Sequence, residues 1–482
     1  MEAEYSRSLL ASAVWAVITA GGTRNRGSLK SCCLLKRTLS KHLLCVKIDS
    51  ALKATNALSS NPTGFIRSLG AFEEIYWLFT QTGPKGFAYA AEIEGRTTVD
   101  AWRKAIDRVQ QSQPFFSVCI EPNKGGKPYF RYVAGASIPM RVLNGASEHR
   151  WETEMAKEVF EPFSGDEAPL VRTVLIHDRD RSIFIIAAHH SISDGMSMTV
   201  VLRDRVRALS GEAIDRYPVL PSQEEAFGIT GPSPVPSADS EPAPAQAAGP
   251  PLVLREGDTE PPAIESLRFD SDLTARLAER ARAEGTTVLG AICSAVLQAG
   301  RKGSRTWSEK PVRVFSDINT RKACEVGDTS AMYFLGGISP IEPGLQVGFW
   351  DLARRFIAEL AGPRSRDGLK SACQALTDVA SQGLDRASAS QFLTHAFAFE
   401  VIISNVGKLP FSSHYGALRL RSIWGSSFLT GAMDEQIVGM ATVDEHLHLL
   451  YTSYTPIPSF LENIRILLSE ACDPAPKIRF VD

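Results

Sequence analysis

The chain has 482 residues, of which 52 are Lys or Arg and 54 are Asp or Glu, and 44% of its residues are hydrophobic. This balance is typical of a globular protein and excludes an overall electrostatic attraction to nucleic acid. No run approaches the roughly 18 apolar residues that a membrane-spanning helix needs. The length predicts about two to four domain-sized units, or one large protein of two lobes.

The eight cysteines form no Cys-x-x-Cys pair, so neither a zinc knuckle nor a dithiol redox motif is indicated. A chain of this length does not need a disulfide scaffold. We therefore expect reduced thiols and a cytoplasmic location.

Residues 1–65 differ in composition from the rest. After Tyr5 the only acidic residue in this stretch is Asp49, whereas Lys, Arg and Ser recur. Such a leader is typical of a transit peptide, while Glu2 and Glu4 argue against a secretory signal. A reading frame that extends upstream of the true start, or a structured extension, stays open. We expect the folded part to begin near Phe65.

Hydrophobic periodicity and capping residues predict a mixed α/β first half. Thr97 or Thr98 is expected to cap the second helix, and the two strands before the last helix should pair across the turn 178–181. In chain order the predicted elements are helix 69–79, strand 86–95, helix 97–111, strand 127–135, strands 169–178 and 181–190, and helix 196–211.

A Pro-, Ala- and Ser-rich segment within 226–262 predicts a linker. The second half again mixes helices and strands, and we see no internal repeat. We therefore predict lobes over 66–225 and 263–482 with a cleft between them. The predicted elements of the second half are helices 272–285 and 286–300 and strands 311–319, 399–407 and 446–454.

The stretch 185–198, IIAAHHSISDGMSM, carries the most specific pattern of the chain. A buried strand ends at His189 and His190, and the next helix begins after Asp194 and Gly195. Asp favours a helix N-cap, and a strand end is where open α/β folds present functional groups. Imidazole suits proton abstraction near neutral pH.

This stretch allows four interpretations. The histidines can be structural groups that end a strand. A metal site would need a third ligand, and adjacent strand side chains point to opposite faces, so no metal is expected. A serine hydrolase would need a G-x-S-x-G elbow, which the chain lacks. The remaining interpretation is a single general base, with the other histidine packed behind it.

Residues 189–195, HHSISDG, resemble the HHxxxDG motif of the superfamily of condensation domains and CoA-dependent acyltransferases. The segments 167–176 and 404–407 (SNVG) resemble neighbouring parts of those proteins, and the resemblance covers about 66–470. The chain is most similar in this respect to alcohol acetyltransferases and phthiocerol dimycocerosyl transferases.

The resemblance implies two chloramphenicol-acetyltransferase-like lobes that form a V around a central tunnel. It implies that His190 is the general base and that His189 supports it. Asp194 would be a structural aspartate paired with an arginine, for which Arg321 is the candidate. Gly195 would leave room for the arm of the donor.

The function implied is transfer of an acyl group from a thioester to an alcohol. The donor would be acyl-CoA or an acyl or peptidyl carrier protein, with no bound cofactor, and the protein would be a monomer. Such an enzyme would serve lipid or secondary-metabolite synthesis. Candidates for the oxyanion site or tunnel wall are Ser404 and Asn405, or Trp424 with the neighbouring residues of the stretch 424–427, WGSS. A stand-alone peptide-synthetase condensation domain that forms an amide, and a non-enzymatic docking module, remain alternatives.

Overall fold

The computed structural model describes residues 64–145, 148–233, 250–257 and 260–473. All but the last two residues of the predicted extension 1–65 lie outside these ranges, as does the centre of the predicted linker. Within the described ranges, no helix is both long and apolar enough to cross a membrane.

The strands, in chain order, are β1 (Phe65–Ser68), β2 (Phe87–Glu94), β3 (Val118–Glu121), β4 (Tyr129–Tyr132), β5 (Met140–Asn144), β6 (Val171–His177), β7 (Arg181–Ala188), β8 (Ala263–Arg268), β9 (Val312–Asn319), β10 (Phe334–Ile341), β11 (Val401–Lys408), β12 (His414–Tyr415), β13 (Leu418–Phe428), β14 (Gln436–Val443) and β15 (His446–Ser453). The helices are α1 (Ala71–Thr80), α2 (Val99–Ser112), α3 (Trp151–Phe160), α4 (Gly195–Leu209), α5 (Gln223–Ala226), α6 (Ser271–Ala283), α7 (Val288–Gly303), α8 (Arg305–Glu309), α9 (Arg321–Cys324), α10 (Phe349–Glu359), α11 (Arg366–Ala380), α12 (Arg386–Ala396) and α13 (Phe460–Cys472).

The first half is built around a six-stranded sheet of order β12-β13-β2-β7-β6-β5. Its central strand β7 is a continuous apolar run because both of its faces are buried. Phe184 and Ile186 pack in the cluster that contains Trp102 of α2, whereas Ile183 and Ile185 pack in the cluster of α3. The strand is therefore held firmly, and so is the loop that follows it.

The second half contains a six-stranded sheet of order β10-β9-β11-β14-β15-β8. Val312 and Val314 of β9 belong to the core shared with α6, α7, α10 and α13. The alternate residues Phe315, Asp317 and Asn319 lie on the opposite face, where they line a cavity. One face of this sheet is thus structural, and the other face is available to a ligand.

Strand β13 comes from the second half of the sequence but belongs to the sheet of the first half. It pairs antiparallel with β2, with Ile423 opposite Ala91 and Phe428 opposite Phe87. This pairing ties the two halves together. The domain bounds 66–225 and 263–482 stay predictions, and β13, which falls within the second of these ranges, belongs to the sheet of the first.

The predicted mixed α/β class is confirmed, and every element predicted from periodicity has a counterpart within a few residues. Thr98 is the cap of α2, and its side chain accepts a hydrogen bond from the Ala101 amide. The predicted strand 127–135 is shorter in the structure, at Tyr129–Tyr132. Other elements were not predicted, among them helices α3 and α10 to α13 and strands β3, β5, β8, β10, β13 and β14.

Candidate active site

The HHSISDG stretch joins β7 to α4. A short 3₁₀ turn, His190–Ile192, follows the strand, and α4 begins at Gly195. Asp194 caps this helix, because its Oδ1 accepts from the Ser197 amide at 2.8 Å. The motif is therefore a rigid corner between a buried strand and a helix.

His189 has both ring nitrogens engaged. The Ser191 amide donates to Nδ1 at 3.1 Å, and Nε2 lies 3.0 Å from Thr80 Oγ1. Because the Thr80 hydroxyl donates to the Trp77 carbonyl, it accepts from Nε2, which assigns the proton to Nε2. Burial and the neighbouring His190 lower the pKa of His189 to about 3. His189 is thus neutral and has no free lone pair.

His190 lies in the wall of the cavity, among aromatic rings. Its ring centroid is 4.3 Å from that of Phe87, 4.8 Å from that of Tyr76 and 5.0 Å from that of Phe334. Burial lowers the pKa of His190 to about 4, although the Asp194 carboxylate acts in the opposite direction. The imidazole is therefore neutral at neutral pH and has a lone pair that can accept a proton.

Asp194 and Arg321 form a buried ion pair, as the resemblance implied. Arg321 Nη1 donates to Asp194 Oδ2 at 2.6 Å, and the Tyr333 amide donates to the same oxygen at 2.8 Å. Arg321 Nη2 also donates to Ser197 Oγ at 2.8 Å. Burial alone would raise the pKa of Asp194, but the Arg321 charge and these hydrogen bonds outweigh it and lower the pKa. The pair connects the motif helix to the second half.

Gly195 is closely surrounded by the side chains of Tyr89 and Val406. A β-carbon at this position would lie 2.8 Å from Tyr89 Oη and 3.2 Å from Val406 Cγ1. The glycine also lines the cavity. The predicted role of Gly195 toward a donor stays a prediction.

The cavity beside His190 holds about 990 Å³ of space free of atoms, part of it open to solvent. Both halves of the chain line it, and aromatic side chains are frequent. Among the described residues of the lining, none is Lys or Arg. The wall therefore suits apolar, uncharged groups and offers no direct counterion to an anion.

Ser404 and Asn405 lie in the cavity wall, but the Ser404 hydroxyl and the Asn405 backbone amide already donate hydrogen bonds to Asp317. Ser404 Oγ donates to Asp317 Oδ2 at 2.7 Å, and the Asn405 amide donates to Asp317 Oδ1 at 3.0 Å. Burial raises the pKa of Asp317 despite these hydrogen bonds, and the Asp194 charge raises it further. The oxyanion role of Ser404 and Asn405 stays a prediction.

The prediction that Trp424 lines the site is wrong. Its ring stacks on Trp151 at 5.4 Å and meets His448 at 4.7 Å, in the core beside α3. The register of β13 against β2 shifts between Trp424 and Ser427, and Ser426 lines the cavity instead. An irregularity of this kind changes which side chain faces a given side of the sheet.

The sequence patterns did not single out Asp317, although they predicted the strand that contains it. A carboxyl group at an inward position of a buried strand is an unusual placement and was the available signal. Leu252 and Leu254 were also missed, because they lie in the segment predicted to be a linker.

Two family models match the chain. Residues 76–219 match the condensation domain, and residues 258–437 match the C-terminus of phthiocerol/phthiodiolone dimycocerosyl transferase. The predicted resemblance to the superfamily of condensation domains and CoA-dependent acyltransferases is confirmed. The two-lobed chloramphenicol-acetyltransferase-like fold predicted for it is confirmed.

Solved structures support this fold over most of the chain. Polyketide synthase associated protein 5 from Mycobacterium tuberculosis superposes with a TM-score of 0.59 at 15% identity, over 86% of this chain and 99% of that one. The first condensation domain of the CDA synthetase superposes with a TM-score of 0.60 at 15% identity, over 86% and 98% of the two chains.

Curated relatives match over shorter stretches. The chain is 28% identical over 123 residues to tyrocidine synthase 3 of Brevibacillus parabrevis, which is 25% of this chain and 2% of the relative. It is 28% identical over 142 residues to gramicidin S synthase 2 of Brevibacillus brevis, which is 28% of this chain and 3% of the relative. The chain thus spans a very small part of these relatives.

Proposed function

We propose that the protein transfers an acyl group from a thioester to the hydroxyl of an apolar acceptor, with His190 as the general base. The observation that carries this proposal is a neutral imidazole in the wall of a large apolar cavity. The loop that holds this imidazole is fixed from the other half of the chain by the Asp194–Arg321 pair.

In the proposed step, a ring nitrogen of His190 takes the proton of the acceptor hydroxyl while its oxygen forms a C–O bond with the thioester carbonyl carbon. Collapse of the tetrahedral intermediate breaks the C–S bond, and the imidazolium returns the proton to the leaving thiolate. The Asp194 carboxylate favours the transient imidazolium by its charge. His189, whose lone pair is occupied, positions the corner.

Similarity to the phthiocerol dimycocerosyl transferase C-terminus supports an alcohol as the acceptor. The starter condensation domain of rhizomide synthetase, whose structure was determined with C8-CoA, superposes at a TM-score of 0.54 and 14% identity. This supports acyl-CoA as a first donor to test. An acyl carrier protein is the second donor of the proposal.

The test is thioester turnover with a panel of acyl-CoAs and alcohols, followed by thiol release and ester mass. We expect thiol and ester to appear together, and His190→Ala to slow the reaction by about 10²–10⁴-fold. His414→Ala, a change of the same kind at an exposed histidine outside the cavity, should keep full activity. Equal rates for wild type and His190→Ala would show that His190 is not the base.

Amide formation between carrier-bound substrates is the alternative. The match of residues 76–219 to the condensation domain and the similarity to the tyrocidine and gramicidin S synthases favour it. Carrier-bound acyl chains offered with an amine acceptor distinguish the two products by mass. If an amide forms and no ester forms, the acceptor is an amine and not an alcohol.

A further inference from the structure

The segment 250–257 forms one wall of the cavity, although its composition predicted a linker. The Leu252 amide donates to the Thr394 carbonyl at 2.9 Å, and the Arg255 amide donates to the Gly431 carbonyl at 2.8 Å. Between them the Met433 amide donates to the Val253 carbonyl at 2.8 Å. The backbone of this segment is thus held at several points by the second half.

Side chains in this segment alternate between the cavity and solvent. Leu252 and Leu254 line the cavity, whereas Val253 between them is 63% exposed. Leu252 packs against the apolar cluster that contains Phe315 and Phe399. An extended backbone produces this alternation, and it leaves two leucines as the inward face of the wall.

A continuous row of rings leads from His190 toward this wall. The centroid of His190 lies 5.0 Å from that of Phe334, which lies 5.3 Å from Phe72. Phe72 stacks on Phe397 at 6.0 Å, and Phe397 lies 5.5 Å from Phe315. Aromatic rings therefore link the reacting end to the cluster against which Leu252 packs.

Such a surface selects by apolar contact. The cavity lining includes no Lys or Arg among the described residues, so an anionic group would lose its water without gaining a cationic partner. A hydrocarbon chain gains affinity with every methylene that it places against these rings. The gain ends where the chain meets a wall of the cavity, and Leu252 and Leu254 are part of that wall.

We propose that Leu252 and Leu254 set the length of the hydrocarbon chain that the cavity admits. This chain is either the acyl chain of the donor or the alkyl chain of the acceptor alcohol. The inference rests on the proposed function in one respect, because His190 marks the reacting end of the chain.

Equilibrium binding tests the length limit without turnover. Linear alcohols of increasing length displace Nile red, an uncharged fluorescent probe, from the full chain. Affinity should rise by about fourfold per carbon and then level off at one length. In Leu252→Trp and Leu254→Trp the levelling should come about two to three carbons earlier, and in Leu252→Ala and Leu254→Ala later.

Val253→Trp is the matched control, since the same bulk is added on the solvent side of the same segment. It should keep the wild-type length limit. The alanine variants test the opposite direction if the tryptophan variants do not fold, as judged by thermal melting. An unchanged limit in all folded variants at Leu252 and Leu254, or an equal shift in Val253→Trp, would overturn the proposal.

Turnover then identifies the source of the chain. An acyl-CoA series with a short alcohol, and an alcohol series with acetyl-CoA, are run on wild type and Leu254→Trp. The series in which Leu254→Trp shifts the chain-length limit identifies the substrate whose chain contacts this wall. If the binding limit shifts but no ester forms from any donor, the proposed function fails and the length limit stands. If ester forms and no limit shifts, the reverse holds.

Discussion

Two carboxyl groups line the cavity, and the two regions that hold them treat charge in opposite ways. In the motif corner, Asp194 faces the Arg321 cation and its pKa is lowered. On the sheet of the second half, Asp317 accepts hydrogen bonds from neutral groups and its pKa is raised by burial. The comparison indicates that Asp194 is a charged structural anchor. The folded state instead favours the protonated form of Asp317.

Asp194→Asn should have the largest effect on stability. Asp194 accepts from Arg321, Ser197 and the Tyr333 amide, so the new amide nitrogen would face a donor, and Arg321 would remain buried without a counterion. We expect a loss of about 3–5 kcal/mol in the free energy of unfolding, measured in urea. Glu309→Gln, in the exposed pair with Arg305, should change it by less than about 0.5 kcal/mol. Similar losses of unfolding free energy in Asp194→Asn and Glu309→Gln would contradict the idea that the Asp194–Arg321 pair anchors the fold.

Gly195→Ala tests how tightly the same corner is packed. The added methyl group would lie 2.8 Å from Tyr89 Oη, so we expect a cost of about 1–3 kcal/mol. Tyr89→Phe removes that oxygen and should recover part of the loss in the double variant. The double-mutant cycle measures this coupling. Strictly additive effects would mean that the methyl group meets a different obstacle.

The two histidines of the corner predict a loss of stability in acid. Burial lowers the pKa of His189 to about 3 and that of His190 to about 4, whereas both titrate near 6.5 in the unfolded chain. The folded state therefore binds fewer protons, and stability present above pH 6.5 is lost as pH falls toward 4, by up to about 1.4 kcal/mol per pH unit and histidine.

His189→Gln isolates one of these histidines, because a glutamine amide can accept from the Ser191 amide and donate to Thr80 Oγ1 without titrating. Its unfolding free energy in urea should fall less steeply between pH 6.5 and 4.5 than that of wild type. His414→Gln, at an exposed site, should follow the wild-type slope. A variant at His189 that retains the full slope would contradict the neutral, buried state.

The motif corner was predictable from sequence because its interactions are local. The apolar run of β7 and the capping Asp194 lie within about fifteen residues, and their patterns have direct physical meanings. The partner Arg321 is distant in sequence and came from the resemblance to a family. Local pattern and family motif thus supplied different parts of the same site.

The opposite wall was not predictable, because distant segments form it. Leu252 and Leu254 occur in a Pro-rich stretch with little apolar content, and only their packing against the second half gives them a place. The Trp424 ring lies outside the cavity because the register of β13 against β2 shifts after it, which the sequence does not reveal. Asp317 lies in a predicted strand, but the groups that donate hydrogen bonds to it, Ser404 and Asn405, are 87 and 88 residues away in sequence.

Asp317→Asn should have the smallest effect, with the opposite sign to Asp194→Asn. A carboxyl with a raised pKa contributes full stability below its unfolded pKa of about 3.9 and loses it as pH rises through the folded value. The asparagine can accept from the Asn405 amide and donate to Ser404 Oγ, so both contacts survive without the buried charge. We expect a gain of roughly 1 kcal/mol in unfolding free energy at pH 8 that vanishes toward pH 4. A loss at pH 8 would mean that the Asp317 charge is stabilised in place, and the contrast between the two carboxyl groups would disappear.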